Sequence, residues 1–279
     1  EVLKITIRLN SGEIRWQRPL ENLNRARSPV TALAVADLDG SGKQSVLAAT
    51  AGWYVNAFSA SGQALWANWI RYHVITALCV EDLDGDGKAE VVVGNVYSTP
   101  LTVHNWDGSF RWTTLEQVGS EANGTTPRRG VGLTRMVTGD LDGDGLREIV
   151  YGTEDGWLFA VRPEDGAEVW HTNLVGGITG LLALPSHIVA STEFGDLLFF
   201  GGGGDLQRHL RVAERIRHLT PCDGDLALAA DGGRLMRLGS DGSCRWIFEA
   251  GEEIVGLYPI AAGLLLCLED GRLVCLESC

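Results

Sequence analysis

Apolar and polar positions along this chain come in short runs that fit β-strands and never hold a helical period. The clearest stretch is 133–172. Leu133 to Thr138, Glu148 to Gly152, Trp157 to Arg162 and Ala167 to Thr172 are four apolar-rich runs. Turn residues separate them, Glu154-Asp155-Gly156 after the second and Pro163 to Gly166 after the third. Apolar and polar residues alternate in the third run (Leu158, Ala160) and around Val169 in the fourth, as in half-buried strands. The inner runs are almost wholly apolar, which fits strands covered on both faces. The order repeats at Thr179 to Leu184, His187 to Ser191, Leu197 to Phe200 and Leu206 to Val212. The last segment offers Ile254 to Pro259, Gly263 to Leu268 and Arg272 to Leu276, with no fourth strand. Leu3 to Leu9 and Glu13 to Arg18 resemble the last two strands of a unit whose first two are missing. No amphipathic helix of useful length competes with this pattern.

A tryptophan follows a glycine by four residues at Gly12/Trp16, Gly62/Trp66, Gly108/Trp112, Gly166/Trp170 and Gly242/Trp246. A sixth copy, Gly204/Arg208, has lost its tryptophan. The tryptophans are spaced 50, 46, 58 and 76 apart, the last gap being two units of 38. Four short strands in a unit of about 40–45 residues is the length of a propeller blade. The expected fold is therefore all-β, a single β-propeller domain over 1–279 with four-stranded blades. The strands predict six blades, with seven as the alternative. About residues 1–20 and 252–279 would pair into one closing blade, which removes exposed sheet edges.

Between the first and second strands of a unit lies the chemistry. Asp82-Leu-Asp-Gly-Asp-Gly-Lys-Ala-Glu90 recurs as Asp140-Leu-Asp-Gly-Asp-Gly-Leu-Arg-Glu148, with a worn copy at Asp37-Leu-Asp-Gly-Ser-Gly-Lys-Gln-Ser45. Carboxylates at positions 1, 3 and 5 of a tight turn converge on one point, and glycines at 4 and 6 allow the sharp backbone. Position 7 offers a carbonyl and position 9 another side-chain oxygen. That all-oxygen shell suits a hard cation, calcium above all. Without a cation, three close carboxylates repel one another. A helical EF-hand is excluded, because its bidentate glutamate at position 12 is replaced by Val93 and Tyr151 inside predicted strands. A solvated Asp-Gly turn is the plain alternative for one copy, and two copies with identical spacing argue against it. The first copy has Ser41 and Ser45 in place of carboxylates. Asp37, Asp39, Ser41 and the Lys43 carbonyl make at most a weak third site.

Composition narrows the rest. The 279 residues carry 36 glycines and 45% hydrophobic residues, as a packed core with many tight turns requires. The net charge of −13 and the lack of a basic run argue against a nucleic-acid partner. No apolar stretch approaches a membrane span. The chain starts at Glu1 without a methionine or a signal-peptide pattern, so a processed, trimmed or excised N-terminus is expected. Cys79, Cys222, Cys244, Cys267, Cys275 and Cys279 form no Cys-x-x-Cys pair, which removes zinc ribbons and thioredoxin-type motifs. Cys267 and Cys275 fall on adjacent predicted strands around Asp270-Gly271, with their register open. Calcium loops of this kind favour an extracellular or periplasmic setting, whereas unpaired cysteines favour the cytoplasm. The former is the expectation.

Asp-x-Asp-Gly-Asp-Gly-x-x-Glu ahead of a strand resembles the FG-GAP (VCBS-type) repeat of integrin-α-like propellers. Ala160-Val-Arg-Pro-Glu-Asp-Gly-Ala-Glu-Val-Trp170 resembles the PQQ-like repeat, whose tail docks its tryptophan between neighbouring blades. Together the two resemblances cover nearly the whole chain. They imply structural calcium, about two ions, held by Asp82, Asp84, Asp86 and Glu90 and by Asp140, Asp142, Asp144 and Glu148. The carbonyls of Lys88 and Leu146 would complete the shells. No quinone cofactor (PQQ) is implied, because quinoprotein dehydrogenases have a vicinal disulfide and no two cysteines here are adjacent.

Fold of this type says little about function, so the loops must decide. The two non-repetitive insertions, Asn95 to Pro100 with Tyr97 and Glu116 to Gly130 with Asn123, Arg128 and Arg129, fall on the blade face opposite the acidic loops. Loops on a rigid scaffold carry function more often than strands do, so a ligand or partner is expected there. Asn123-Gly-Thr125 is also a glycosylation triplet. The six histidines are scattered with no metal or catalytic spacing, and there is no nucleophile elbow or phosphate loop. Gly201 to Gly204 falls between strands and opens no helix. His209, Arg211, Arg215, Arg217 and His218 make a basic patch that reads as a solvated edge. The expectation is a non-enzymatic, calcium-stabilised scaffold for a protein partner or self-assembly. The rival is a carbohydrate-binding lectin or calcium-dependent polysaccharide lyase, for which Trp53, Trp69, Trp106 and Trp157 are the candidate aromatics.

Overall fold

The computed structural model describes residues 3–9, 11–23, 29–70, 74–96, 101–114, 132–185, 187–212, 214–239, 242–261 and 263–277. The regular elements among them are β-strands. A two-stranded hairpin comes first, β1 (Lys4–Arg8) with β2 (Ile14–Pro19). Five four-stranded sheets follow, each in sequential order. They are β3 (Val30–Asp37), β4 (Gln44–Thr50), β5 (Tyr54–Ser59) and β6 (Ala64–Trp69); then β7 (Ile75–Glu81), β8 (Glu90–Asn95), β9 (Leu101–His104) and β10 (Phe110–Thr113). The third holds β11 (Leu133–Gly139), β12 (Glu148–Thr153), β13 (Trp157–Val161) and β14 (Glu168–Asn173). The fourth holds β15 (Ile178–Leu184), β16 (His187–Thr192), β17 (Asp196–Gly201) and β18 (Leu206–Arg211). The fifth holds β19 (Ile216–Cys222), β20 (Asp225–Ala230), β21 (Arg234–Leu238) and β22 (Cys244–Glu249). A three-stranded sheet ends the series, β23 (Ile254–Ile260), β24 (Gly263–Leu268) and β25 (Leu273–Glu277). The predicted strands stand within a residue or two of these bounds. Among the described residues, β1–β2 and β23–β25 form separate sheets.

Two compact units divide the chain, Glu1–Val150 with Ala160–Val169, and Tyr151–Phe159 with Trp170–Cys279. In both, the strand patterns follow from position in the sheet. The second strands β4, β8, β16 and β20 are buried on both faces over most of their length, hence their Val, Leu and Ala runs. The fourth strands β6, β18 and β22 are edges and, from their second residue on, alternate between exposed and half-buried residues. Their third residue, half-buried, is Trp66, Arg208 and Trp246 respectively.

The Gly/Trp repeat has its explanation here. Four of the five indoles rest not on their own glycine but on the glycine of the next sheet. In the first unit, Trp16 covers Gly62, Trp66 covers Gly108 and Trp112 covers Gly166; in the second, Trp170 covers Gly204. A Cβ on any of these glycines would lie 2.6–2.8 Å from ring carbons, and each has φ between 70° and 84°, so only glycine fits. The indole N–H donates to a backbone carbonyl of the same turn, Ala60 at 3.0 Å, Trp106 at 3.1 Å, Pro163 at 2.8 Å and Gly202 at 2.8 Å. The first hairpin uses the same device. Ile5, Trp16 and Leu20 join Ala48 and Phe58 of the next sheet in one apolar cluster.

Candidate metal centre

The acidic loops join the first and second strands of three successive sheets. In the second loop the backbone folds around its own carboxylates. Asp82 accepts hydrogen bonds from the Gly85 amide at 2.8 Å (Oδ1) and the Gly87 amide at 2.9 Å (Oδ2). Asp84 Oδ1 accepts from Asp86 N at 3.2 Å, and Asp86 Oδ1 from Lys88 N at 2.8 Å. Glu90, at the start of β8, reaches back to Leu83 N at 3.0 Å through Oε2. The third loop repeats the set: Asp140 with Gly143 and Gly145, Asp142 with Asp144, Asp144 with Leu146, Glu148 with Leu141. The glycines at positions 4 and 6 have φ of 74° and 87° in one copy and 82° and 91° in the other. The side chains that hold these turns are the ones predicted to ligate.

The convergence is real. Oxygens of Asp82, Asp84 and Asp86 lie within 4.8 Å of one another, as do oxygens of Asp140, Asp142 and Glu148. Both clusters are all-carboxylate, the donor set of a hard cation. Glu90 and Glu148 are buried, and burial is the largest cause pushing both carboxyls above the usual carboxylate range. Neighbouring aspartates push the same way, while the Leu83 and Leu141 amides pull down. A cation in either loop would relieve that burden.

The two loops differ in one respect that sequence spacing did not show. Arg111 of β10 inserts into the second loop, with 2.8 Å to Asp84 Oδ2 and 2.9 Å to Glu90 Oε1. Val169, which precedes Trp170 as Arg111 precedes Trp112, stands in its place in the third sheet. Glu148 belongs to the cluster in one loop, whereas Glu90, paired with Arg111, lies outside it in the other. Lys88 turns away, its ammonium 5.0 Å from the centre of the Trp106 ring.

In the worn first loop, Gly42 N donates to Asp37 Oδ2 at 2.6 Å and Ser41 N to Asp39 Oδ1 at 3.1 Å. Asp37 Oδ1 is buried without a hydrogen-bond partner among the described residues. Ser45 is buried where the other copies place a glutamate, and Lys43 is exposed. The three loops are also joined in series. The carbonyl of Leu38, position 2 of the first, accepts from Ala89 N, position 8 of the second, at 3.0 Å. The carbonyl of Leu83 accepts from Arg147 N in the same relation at 2.9 Å. Gly40 approaches so closely that a Cβ there would lie 2.3 Å from the Gly87 carbonyl oxygen.

Other expected sites fare differently. Tyr97, Asn123, Arg128 and Arg129 lie outside the described residues. The basic patch is paired: His209 Nε2 and Arg211 meet Asp196 at 2.8 and 2.9 Å, and Arg217 meets Asp231 and Glu253. Burial pushes the Asp196 carboxyl up, but these bonds outweigh it and hold the group below its usual range. Cys267 faces Leu273 and Cys275 faces Leu265, so the two are diagonal, and both are free thiols. Trp157 stacks on Phe159 and leans on His171, as blade packing rather than an open platform.

Residues 82–151, which hold both complete acidic loops, match the FG-GAP-like repeat family. No curated protein sequence matches the chain. Solved structures do. A structure of BBS1N in complex with ARL6DN aligns with a TM-score of 0.69 at 14% identity, covering 88% of this chain and 78% of that one. Sqt1 from Saccharomyces cerevisiae aligns with a TM-score of 0.77 at 12% identity, covering 95% and 74%. Sqt1 from Chaetomium thermophilum, bound to the N-terminus of the ribosomal protein L10, aligns with a TM-score of 0.74 at 12% identity, covering 99% and 77%. The fold of this chain is thus that of β-propeller proteins, and its 82–151 segment is similar to FG-GAP-like repeats.

Proposed function

We propose that this chain is a non-enzymatic, calcium-stabilised β-propeller that serves as a protein-binding or assembly scaffold. The observation that carries the calcium reading is the third loop. Asp140, Asp142 and the buried Glu148 converge there, and among the described residues no arginine or lysine forms an ion pair with them. Calcium would neutralise them and fix the turn between β11 and β12. Asp82, Asp84 and Asp86 would hold a second ion. Protein binding is supported by the fold, since similar structures carry protein partners, ARL6DN on BBS1N and the L10 N-terminus on Sqt1. The partner would meet the loop face that carries Tyr97, Asn123, Arg128 and Arg129, in an extracellular or periplasmic setting.

We further infer a single domain of six blades, closed by the terminal strands. Within the first unit, β3 turns Ala32 and Ala34 into a core cluster and leaves Leu33 and Val35 62% and 65% exposed. Elemental analysis followed by thermal unfolding with and without EGTA tests the calcium reading. About two ions per chain and a clear loss of stability on chelation are expected. No bound calcium and an unchanged melt would overturn it. For the partner face, Arg128→Glu with Arg129→Glu should abolish capture of a native partner while leaving the calcium count intact. Undiminished capture would move the site elsewhere.

A further inference from the structure

The turn between the second and third strands of a sheet closes on itself. Its fourth residue donates its amide to the carbonyl of the first: Trp53 to Thr50, Gly156 to Thr153, Gly195 to Thr192 and Gly271 to Leu268. The third residue stands at the tip. It is Gly52, Asp155 and Asp270 in three of these turns and Phe194 in the fourth. The link from one sheet to the next packs against the same turns. A Cβ on Gly156, Gly195 or Gly233 would lie 2.2–2.7 Å from the carbonyl oxygen of Gly176, Glu214 or Glu252 respectively. Gly176 thus stands where the other two links carry a glutamate. The two departures from the repeat meet. A Cβ on Gly176 would lie 2.6 Å from the Phe194 ring, and the φ of Gly176 is 89°, so the glycine makes a floor for the ring.

Phe194 rests on that floor yet remains 49% exposed. Val175, which precedes Gly176, is 79% exposed, the most exposed large apolar side chain among the described residues. The link that carries Val175 runs between two acidic turns. A Cβ on Gly177 would lie 2.7 Å from the Glu154 carbonyl oxygen of one and 3.7 Å from the Glu193 carboxylate of the other. Glu193 Oε1 accepts from Gly177 N at 2.9 Å, which fixes that carboxylate beside the apolar pair. Glu154 and Glu193 are exposed and Asp155 is half-buried. The three segments 153–156, 174–177 and 192–195 hold these three carboxylates and no lysine, arginine or histidine. The cations at Asp196, two residues beyond Phe194, are held there: His209 at 2.8 Å and Arg211 at 2.9 Å.

We propose that Val175 and Phe194 seat a basic polypeptide segment of a partner protein. An aliphatic or aromatic side chain of the partner covers the pair, and lysines or arginines on either side of it meet Glu154 and Glu193. Charge complementarity selects this occupant. A nucleic acid, or the same surface of a second copy, would set negative charge against both glutamates. An apolar contact ringed by polar groups is the anatomy of a protein interface. Phe194 is already held by Gly176, so docking orders little that was free. The proposal rests on the reading of this chain as a protein-binding scaffold and gives the partner its chemistry.

Fluorescence anisotropy of the full chain with dye-labelled Lys-Lys-Leu-Leu-Lys-Lys amide tests this, beside the Lys-Lys-Ser-Ser-Lys-Lys and Glu-Glu-Leu-Leu-Glu-Glu amides. The first should bind with a Kd on the order of 100 μM or tighter, and the other two at least about 10-fold more weakly. Phe194→Ser should weaken the leucine peptide about 10-fold. Glu154→Gln with Glu193→Gln keeps an acceptor for Gly177 N and removes both charges. It should weaken that peptide about 3–10-fold at about 50 mM salt, with the difference shrinking at about 1 M. Equal binding of the leucine and serine peptides, undiminished binding to Phe194→Ser, or no binding of the leucine peptide at several-fold above about 100 μM would overturn the proposal. Should Phe194→Ser fail to fold, Val175→Ser decides alone, since that side chain is largely in solvent. The two readings fail separately. A native partner still captured by Phe194→Ser overturns this seat and leaves the scaffold reading standing, whereas a chain that captures no protein overturns both.

Discussion

Replacing Arg111 by methionine separates a loop that holds an ion from one that holds an internal substitute for it. Arg111 gives Asp84 and Glu90 a charge-assisted bond each, at 2.8 and 2.9 Å, from a side chain that is 20% exposed onto a glutamate that is 3% exposed. Exposed pairs contribute about 0–1 kcal/mol, and breaking a buried one costs about 3–5 kcal/mol. This pair lies between, at about 2–3 kcal/mol. Calcium entering the second loop must loosen both bonds before Glu90 can turn to it. Arg111→Met removes that competition, so calcium should bind the loop roughly 10–100-fold more tightly, a change of about 1.4–2.8 kcal/mol. The same variant leaves Glu90 buried without its cation when calcium is absent, so in EGTA its Tm should fall by roughly 4–10 °C and recover with calcium. Isothermal titration in a Glu148→Gln background, which disables the third loop, isolates the effect. Calcium affinity that is unchanged or weaker in Arg111→Met would refute the reasoning and make Arg111 a brace for the loop.

Three further outcomes are expected. Burial raises the Glu148 carboxyl above its ordinary 4.5 in the folded chain, so its contribution to stability is present in full below 4.5 and is lost as pH rises through the raised value. In EGTA at neutral pH, Glu148→Gln should therefore melt higher than wild type, with the gap closing as the pH approaches 4.5; with calcium at neutral pH the order should reverse, and a fixed gap across pH would be against it. Gly62→Ala should cost about 2–4 kcal/mol in urea unfolding, from its left-handed backbone and from a new Cβ that would lie 2.7 Å from the Trp16 ring. Gly42→Ala, with similar φ and open space, should lose only about 1 kcal/mol, and equal losses would deny the indole its part. Burial pushes the Cys79 thiol up to about 11, so it should label far more slowly with iodoacetamide than the exposed Cys244 and Cys275; comparable rates by peptide mass spectrometry would contradict that environment.

What sequence could show here was whatever repeats locally. Strand β24 is a case in point: Gly263 to Leu268 is bounded by turn residues and is found with those bounds. The acidic loops were legible for the same reason, since their ligands fall within nine residues and their backbone bonds close on themselves. Arg111 was not, because it reaches Asp84 from a strand 27 residues away, and no local pattern marks which residue an edge strand turns inward. The ion pairs of the basic patch were hidden likewise: Asp196 sits on β17, opposite Arg211 on β18, and a reading along the chain sees only the arginine. The lost tryptophan at 208 was visible, but its consequence required knowing that Trp16, Trp66, Trp112 and Trp170 each rest on the next sheet's glycine.

That same next-sheet relation governs the loops and gives them a collective property. The Leu38 carbonyl is tied to the second loop at Ala89, and the Leu83 carbonyl to the third at Arg147. In the second and third loops the position-2 residue also offers its amide to the position-9 glutamate, Leu83 to Glu90 and Leu141 to Glu148. A cation that draws Glu90 therefore acts on a residue whose other backbone group is bound to the third loop. Coupling of this kind needs no conformational switch, only a shared peptide chain that two sites both order. On this arrangement Asp140→Asn should weaken calcium at the second loop as well as abolish it at the third, by a few-fold, a change of about 0.5–1 kcal/mol. Titration of Asp140→Asn against Asp140→Asn with Arg111→Met reads the second loop alone in both arginine contexts. A second-loop affinity identical to that of the intact chain would show that the backbone bonds join the loops in space but not in energy.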